Sequence, residues 1–223
     1  MIEVKNLSQS YKNKQVLTNV DLTIDRLEYC ALVGRNGAGK STLIHSMLGL
    51  LPVKKGSVIL GNHDHKKGEW KKLVSYLPEK FQLYPHLSGE ENLHFFASLS
   101  TPKVDVQKIE EKLKLVSLWN DRAHRVNGYS KGMLQRLGLA IMLYFDTDIL
   151  ILDEPTSGLD PMGRQEVLNI LKSLSGKTIL MSSHHMDEIE QICTHVAYLD
   201  NGNITKYTVK EFMTTHLKGE NEK

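Results

Sequence analysis

The chain carries only two cysteines in 223 residues, Cys30 and Cys193, which lie far apart inside apolar segments and show no CxxC spacing. Their scarcity excludes a disulfide-stapled scaffold and points to two core thiols in a reducing compartment, without metal or redox chemistry. Long apolar runs are also missing, because no window approaches the roughly 20 apolar residues that span a bilayer. The start, MIEVKNL, has neither a basic leader nor an apolar export stretch, so a soluble, cytoplasmic chain is expected. Nor is there charge of one sign: a net charge of +2 is too small to make nucleic acid the principal partner. Lys66-Lys67 and Lys71-Lys72 are basic pairs, but Glu69 and Glu79 follow them closely, which reads as a solvated face. Without internal repeats or a low-complexity linker, nothing argues for two separately folding domains.

What is present is an alternation of short β-branched or apolar runs with helical patterns. It predicts an α/β fold, a mixed sheet with a parallel core and flanking helices. The opening runs Ile2 to Leu7 and Val20 to Ile24, parted by the turn-rich Lys12-Asn13-Lys14, read as antiparallel strands at a sheet margin. Further strands are expected at 30–33, 57–60, 73–77, 149–152, 178–181 and 196–199. Between Glu79 and Phe145 the strand signal stops, so residues 79–145 read as a helical subdomain set into a core of residues 1–78 and 146–223. Its middle helix places Val106, Ile109, Leu113 and Val116 on one apolar face, opposite Lys108, Glu111, Lys112 and Lys114.

The most informative segment is Gly34-Arg35-Asn36-Gly37-Ala38-Gly39-Lys40-Ser41-Thr42, which fits GxxxxGK[ST] and directly follows the apolar run Ala31-Leu32-Val33. Glycines let such a loop curl so that backbone N–H groups point at phosphate oxygens, while the next helix presents its positive end. Lys40 is expected at the β- and γ-phosphates of ATP, and the Ser41 hydroxyl on Mg²⁺, which prefers hard oxygen ligands. A second half-site is expected where the apolar run Ile149 to Leu152 ends in Asp153 and Glu154. Asp153 would hold Mg²⁺ through water, and Glu154 would polarise the attacking water as general base.

With these residues in view the whole chain resembles the ABC ATPase family. Tyr129-Ser130-Lys131-Gly132-Met133-Leu134-Gln135-Arg136 matches that family's signature, whose commonest form is LSGGQxxR; lysine and methionine replace its usual third and fifth residues. The resemblance implies a P-loop NTPase fold, with a RecA-like core, an antiparallel β margin and a helical insertion particular to the family. It implies that Ser130, Gly132 and the following helix start form a second phosphate cradle for the ATP of another subunit. Asp160, in Pro155 to Pro161, takes the position that contacts that subunit. His184 resembles the switch histidine at the γ-phosphate, and Tyr11 fits the aromatic position that stacks on adenine. Where the family usually carries a loop glutamine this chain has Glu79, which leaves two readings open: a further Mg²⁺ ligand, or only a link to the helical subdomain.

The resemblance also implies an ATP-hydrolysing homodimer or pseudo-dimer on the inner face of the cell membrane, driving integral-membrane permease subunits. Phe81, Leu83, Tyr84, Pro85 and Leu87 are the expected docking cluster, with Phe81, Tyr84 and Leu87 foremost. The run from Leu77 and the YSKGM signature resemble the ABC-2 export-type branch and, within it, the copper-maturation ATPases of nitrous oxide reductase. The rival is a soluble ABC ATPase acting on DNA or ribosomes, which usually shows linked ATPase units, a long coiled coil or zinc motifs. A P-loop kinase would leave the signature and His184 unexplained. Gly61-Asn62-His63-Asp64-His65 brings two histidines beside an aspartate, but alternate residues of a surface hairpin rarely converge on one ion without a distant ligand. A polar loop is expected there.

Overall fold

The structure, a computed structural model, describes residues 1–11, 14–100 and 103–216, with Tyr11 described by its backbone alone. The expected turn at Lys12 and Asn13 and the charged tail after His216 therefore lie outside the described residues. The chain begins with β1 (Ile2–Tyr11), β2 (Lys14–Ile24) and β3 (Tyr29–Val33), then α1 (Lys40–Met47), β4 (Lys55–Leu60), β5 (His63–Asp64) and β6 (Val74–Leu77). Three helices follow, α2 (Gly89–Ser98), α3 (Val106–Leu115) and α4 (Lys131–Tyr144). The remainder alternates: β7 (Ile149–Leu152), α5 (Pro161–Ser173), β8 (Thr178–Ser182), α6 (Met186–Ile192), β9 (His195–Asp200), β10 (Asn203–Thr208) and α7 (Val209–His216).

Two compact units result. The first comprises Met1–Val74, Asp148–Glu154 and Gly176–Lys223. Within it β3 lies between β8 and β9, parallel to both, with Ala31 beside Met181 and Val196. Strand β7 extends this order on the far side of β8, and β10 closes the other edge antiparallel to β9. Such inner strands are covered on both faces, which is why β7 and β8 are buried end to end, β7 as an unbroken apolar run and β8 with an apolar centre, Ile179 to Met181. The first unit's other sheet, β2-β1-β4-β5, is antiparallel, and its β1 is irregular against both neighbours. Both cysteines are free, and burial pushes the Cys30 thiol up to about 12 and raises Cys193 as well, so neither supplies thiolate at neutral pH.

Two strands of this unit were not legible as expected. Strand β10 has an alternating, half-exposed pattern of polar and β-branched residues, without the apolar run that marked its neighbours. Its turn signal was there: Asn201 and Gly202 both take positive φ, the requirement of a tight hairpin. Strand β5 falls in the segment expected to be a polar loop, but His65 is buried, with Nδ1 3.3 Å from the Val58 carbonyl. Trp70 Nε1 donates to the His65 carbonyl at 2.6 Å, which fixes the turn. His63 faces Glu69 at 3.0 Å, whereas Asp64 accepts from the Lys66 N–H at 2.9 Å and lies 3.5 Å from His65 Nδ1.

The second unit comprises Ser75–Thr147 and Pro155–Ser175. It therefore takes in α5 and the loop before it, besides the helices of the 79–145 stretch. Helix α2 starts at a capping box, in which Ser88 and Glu91 each accept from the other's backbone N–H. Ile109, Leu113 and Val116 are fully buried as the 3.6-residue period requires. Val106 is not: as the first residue of α3 it stands clear of the packed turns and is 60% exposed.

Candidate functional site

The phosphate loop connects β3 to α1. Gly34 has no room for a side chain, since a Cβ there would lie 2.5 Å from the Leu199 carbonyl oxygen. Gly39 takes φ +111 immediately before α1, and a Cβ there would meet Val16 at 2.8 Å. Glycine is thus required at both ends of the loop by close approach, and at Gly39 by the backbone as well. Arg35, Asn36 and Gly37 form its exposed turn, closed by the Ala38 N–H donating to Arg35 at 3.0 Å. Lys40 opens α1 and is buried, and its Nζ donates to the Gly34 carbonyl at 2.9 Å. Ser41 is exposed and Thr42 half-buried on the first turn.

The end of β7 delivers the carboxylates to the same unit. Asp153 is buried, and its Oδ1 accepts from the Ser182 hydroxyl at 2.6 Å. The Ser182 oxygen in turn accepts from the Glu154 N–H at 2.7 Å, so one hydroxyl fixes both acidic residues. Glu154 has φ +47, a conformation costing about 1–3 kcal/mol for a residue with a side chain. The strained backbone turns its carboxylate back to the loop, where Oε1 lies 3.9 Å from Lys40 Nζ. Oε2 lies 2.9 Å from His184 Nδ1, whose ring meets that of His185, a residue to which the sequence assigned no part, at 4.1 Å between centroids and a tilt of 38°. The β8–α6 turn is held by the buried Glu188, which accepts from the Ser183 hydroxyl at 3.0 Å.

The fold thus brings Lys40, Asp153, Glu154 and His184 together. Sequence reasoning missed Ser182, Ser183 and Glu188, although hydroxyls at the carboxyl end of an inner parallel strand were an available signal. The Tyr11 side chain lies outside the described residues. Ser41 and Asp153 offer hard oxygen donors suited to Mg²⁺, and Asp153 uses only one carboxylate oxygen in its bond to Ser182.

The remaining site candidates belong to the second unit. Ser130 caps α4, its hydroxyl accepting from the Met133 N–H at 3.2 Å. Asp160 caps α5, accepting from the Gly163 N–H at 2.8 Å. A Cβ on Gly132 would lie 3.9 Å from the Gly163 backbone, so the two helix starts are neighbours. Glu79 is exposed in the bend after β6. Phe81 packs inward, its ring occupying the space a Cβ on Gly138 would need. Tyr84 is 46% exposed and meets Phe95 edge-on at 4.5 Å, with Leu87 half-buried nearby in the chain. The fully buried Asn92, another residue the sequence reading missed, grips this loop by accepting from the Tyr84 N–H and donating to its carbonyl.

A loop of this geometry followed by a strand-end Asp-Glu pair defines a phosphate-loop nucleotide hydrolase. Comparison with known proteins narrows the class. Residues 17–157 match the family described as ABC transporter. An uncharacterised ABC transporter ATP-binding protein, YhcH of Bacillus subtilis, is 39% identical over 92% of this chain and 68% of its own length. The lantibiotic transport ATP-binding protein SrtF of Streptococcus pyogenes is 36% identical over 92% of this chain and 89% of its own. Among solved structures, the dimeric ATP-binding cassette MJ0796, in a post-hydrolysis state with ADP and Pi, superposes with a TM-score of 0.83. It is 25% identical over 94% of this chain and 99% of that one. The chain belongs to the ABC transporter family, as an ATP-binding and ATP-hydrolysing cassette. Among the described residues no helix is long and apolar enough to cross a membrane.

Proposed function

We propose that this chain is the motor subunit of an ABC exporter, in which two copies enclose two ATP molecules and hydrolysis moves integral-membrane permease partners. In this reading residues 1–223 act as one ATPase domain, with a core of 1–78 and 146–223 and a helical subdomain at 79–145. It works peripherally at the inner face of the membrane. Gly34 to Thr42 wrap the phosphates, with Lys40 on the terminal ones, and Tyr11 takes the adenine. Ser130 and Gly132 serve the nucleotide of the other copy, and Asp160 lies at the contact between copies. Mg²⁺, held by Ser41 and Asp153 with Glu79 as a further candidate, would neutralise charge on the phosphate oxygens.

The observation that carries the proposal is the Glu154 carboxylate, set between Lys40 and His184 on a strained backbone beside a buried, oriented Asp153. Such a carboxylate can take the proton of the attacking water as its oxygen bonds to the γ-phosphorus and the bond to ADP breaks. His184 orients it. Export is favoured because SrtF is a lantibiotic transport ATPase alike over most of both chains; neither relative described above is named for copper maturation.

Glu154→Gln keeps the shape and removes the base, so it should bind ATP yet lose about 10²–10⁴-fold in turnover. In sedimentation it should pass from monomer to dimer with ATP and Mg²⁺ and stay monomeric with ADP. Turnover at the parental rate would remove Glu154 from the mechanism, and a monomer at every protein concentration would remove the sandwich. For the permease contact, the double variant Tyr84→Asp, Leu87→Asp should no longer co-purify with the membrane complex while still binding ATP. Full co-purification would place docking elsewhere.

A further inference from the structure

Glycines stand at both ends of the phosphate loop, and one side chain touches both. Strand β9 runs parallel to β3 with Tyr198 beside Val33, so the next residues in register are Leu199 and Gly34, where β3 ends and the loop begins. A Cβ on Gly34 would lie 2.5 Å from the Leu199 carbonyl oxygen and 3.4 Å from the Leu199 Cβ. A Cβ on Gly39, at the far end of the loop, would lie 3.6 Å from Leu199 Cδ2. Leu199 itself is fully buried. A single leucine thus forms the floor under both ends of the loop.

The facing wall comes from β2. A side chain on Gly39 would come within 2.8 Å of Val16 Cγ1 and 3.3 Å of Leu17 Cδ2, so that end of the loop is wedged between β2 and β9. Wall and floor are fastened to each other through the β9–β10 hairpin. The Thr18 N–H donates to the Gly202 carbonyl at 2.8 Å, and a Cβ on Gly202 would lie 2.9 Å from the Val16 carbonyl oxygen. Further along β10, Lys206 Nζ donates to the Thr23 carbonyl and to the buried Glu28 carboxylate, each at 2.8 Å. Protein interiors are close-packed, so a seat tied in this way passes a change of volume on to the backbone resting on it.

We propose that Leu199 is a positioning residue for nucleotide binding: it touches no phosphate but, from under Gly34 and Gly39, sets the opening of the loop that cradles them. This rests on the assignment of residues 34–42 to the phosphates and deepens it. Backbone N–H groups hold an anion only when they converge on it. Glycine, the residue with the greatest backbone freedom, cannot keep that curl by itself. The stiffness has to come from what the glycines rest on. Asp153 and Glu154 are fixed separately, through Ser182, so loosening the seat should weaken binding without removing the chemistry.

The test compares the parent with Leu199→Ala, Leu199→Met, Leu60→Ala and Lys40→Ala. ATP and ADP dissociation constants, steady-state kinetics and melting temperature are measured, with binding read well below every melting point. Leu60 is also fully buried but sits between Ile2 and His63 in the other sheet, so its truncation leaves a comparable cavity elsewhere. Both leucine-to-alanine variants should melt lower. Only Leu199→Ala should bind ATP and ADP more weakly, each by about tenfold or more, since a misplacement of about 1 Å can cost about 10²-fold. Its KM should rise while kcat stays near the parent's, the mark of lost uniform binding. Leu199→Met, which restores the volume, should bind near the parent. Parental affinity in Leu199→Ala, an equal loss in Leu60→Ala, or a methionine variant as weak as the alanine one overturns the inference. Should Leu199→Ala not fold, Leu199→Val takes its place with a smaller expected loss, and parental affinity in that variant overturns the inference too. Lys40→Ala checks the underlying assignment: parental nucleotide affinity there would take the loop away from the phosphates, and this inference with it.

Discussion

Around Asp153 the polar atoms that place the carboxylates are buried and bonded to one another: Ser182 to Asp153, the Glu154 N–H to Ser182, Ser183 to Glu188. Ser130 and Asp160 are exposed, and each accepts a helix-starting hydrogen bond, from the Met133 and Gly163 N–H groups. The first region is held together within one chain, where a buried hydrogen-bonded network is rigid by itself. The second leaves Ser130 and Lys131 open to solvent, as the proposed sandwich requires of Ser130. The contrast teaches where each region should be sensitive: the first to losing any one internal partner, the second to charge and contact rather than to packing.

The sharpest way to break the comparison is Ser182→Ala. It removes the shared partner of Asp153 and of the Glu154 N–H, and outer hydrogen-bond partners of metal-holding groups are typically worth about 10–100-fold in activity or metal affinity. Turnover should fall by that factor, with the Mg²⁺ concentration for half-maximal rate rising. A Mg²⁺ titration in which neither changes would show that the relay does not orient the carboxylates. Next comes a matched pair of caps. Ser130→Ala and Ser88→Ala each delete a helix N-cap worth about 1 kcal/mol, so similar small falls in melting temperature are expected. Turnover should drop only for Ser130→Ala, by about tenfold. Equal turnover for the two variants would reduce Ser130 to a cap like any other.

The smallest effect concerns pH. The Ser88 backbone N–H, and then its hydroxyl, hold the exposed Glu91 carboxyl below its ordinary 4.5. A depressed folded value means that the ionised carboxylate stabilises the fold above 4.5 and that this contribution is lost as pH falls through the folded value. The melting-temperature advantage of the parent over Glu91→Gln should accordingly be present at neutral pH and shrink steadily in acid. An advantage that grows in acid would contradict the capping box.

The sequence by itself determined the elements whose signal is local. The phosphate loop was legible because its glycines and lysine must be contiguous, and the inner strands because parallel β3, β7 and β8 are buried on both faces over most of their length and therefore mainly apolar. The helical character of 79–145 was legible for the same kind of reason, through the 3.6-residue period of Ile109, Leu113 and Val116. Only the tertiary structure decided which distant polar groups meet. That Ser182 binds Asp153 across 29 residues, that Asn92 grips the Tyr84 loop, or that Lys131 lies on Gly158 leaves no trace in any short window. Single hydroxyls, amides and ammonium groups have no periodicity, and their roles are set by contacts that exist only once the chain is packed. The same holds for the turned backbone of Glu154: an acidic residue at a strand end is visible in the sequence, but its left-handed φ, which sends the carboxylate between Lys40 and His184, is imposed by the fold around it.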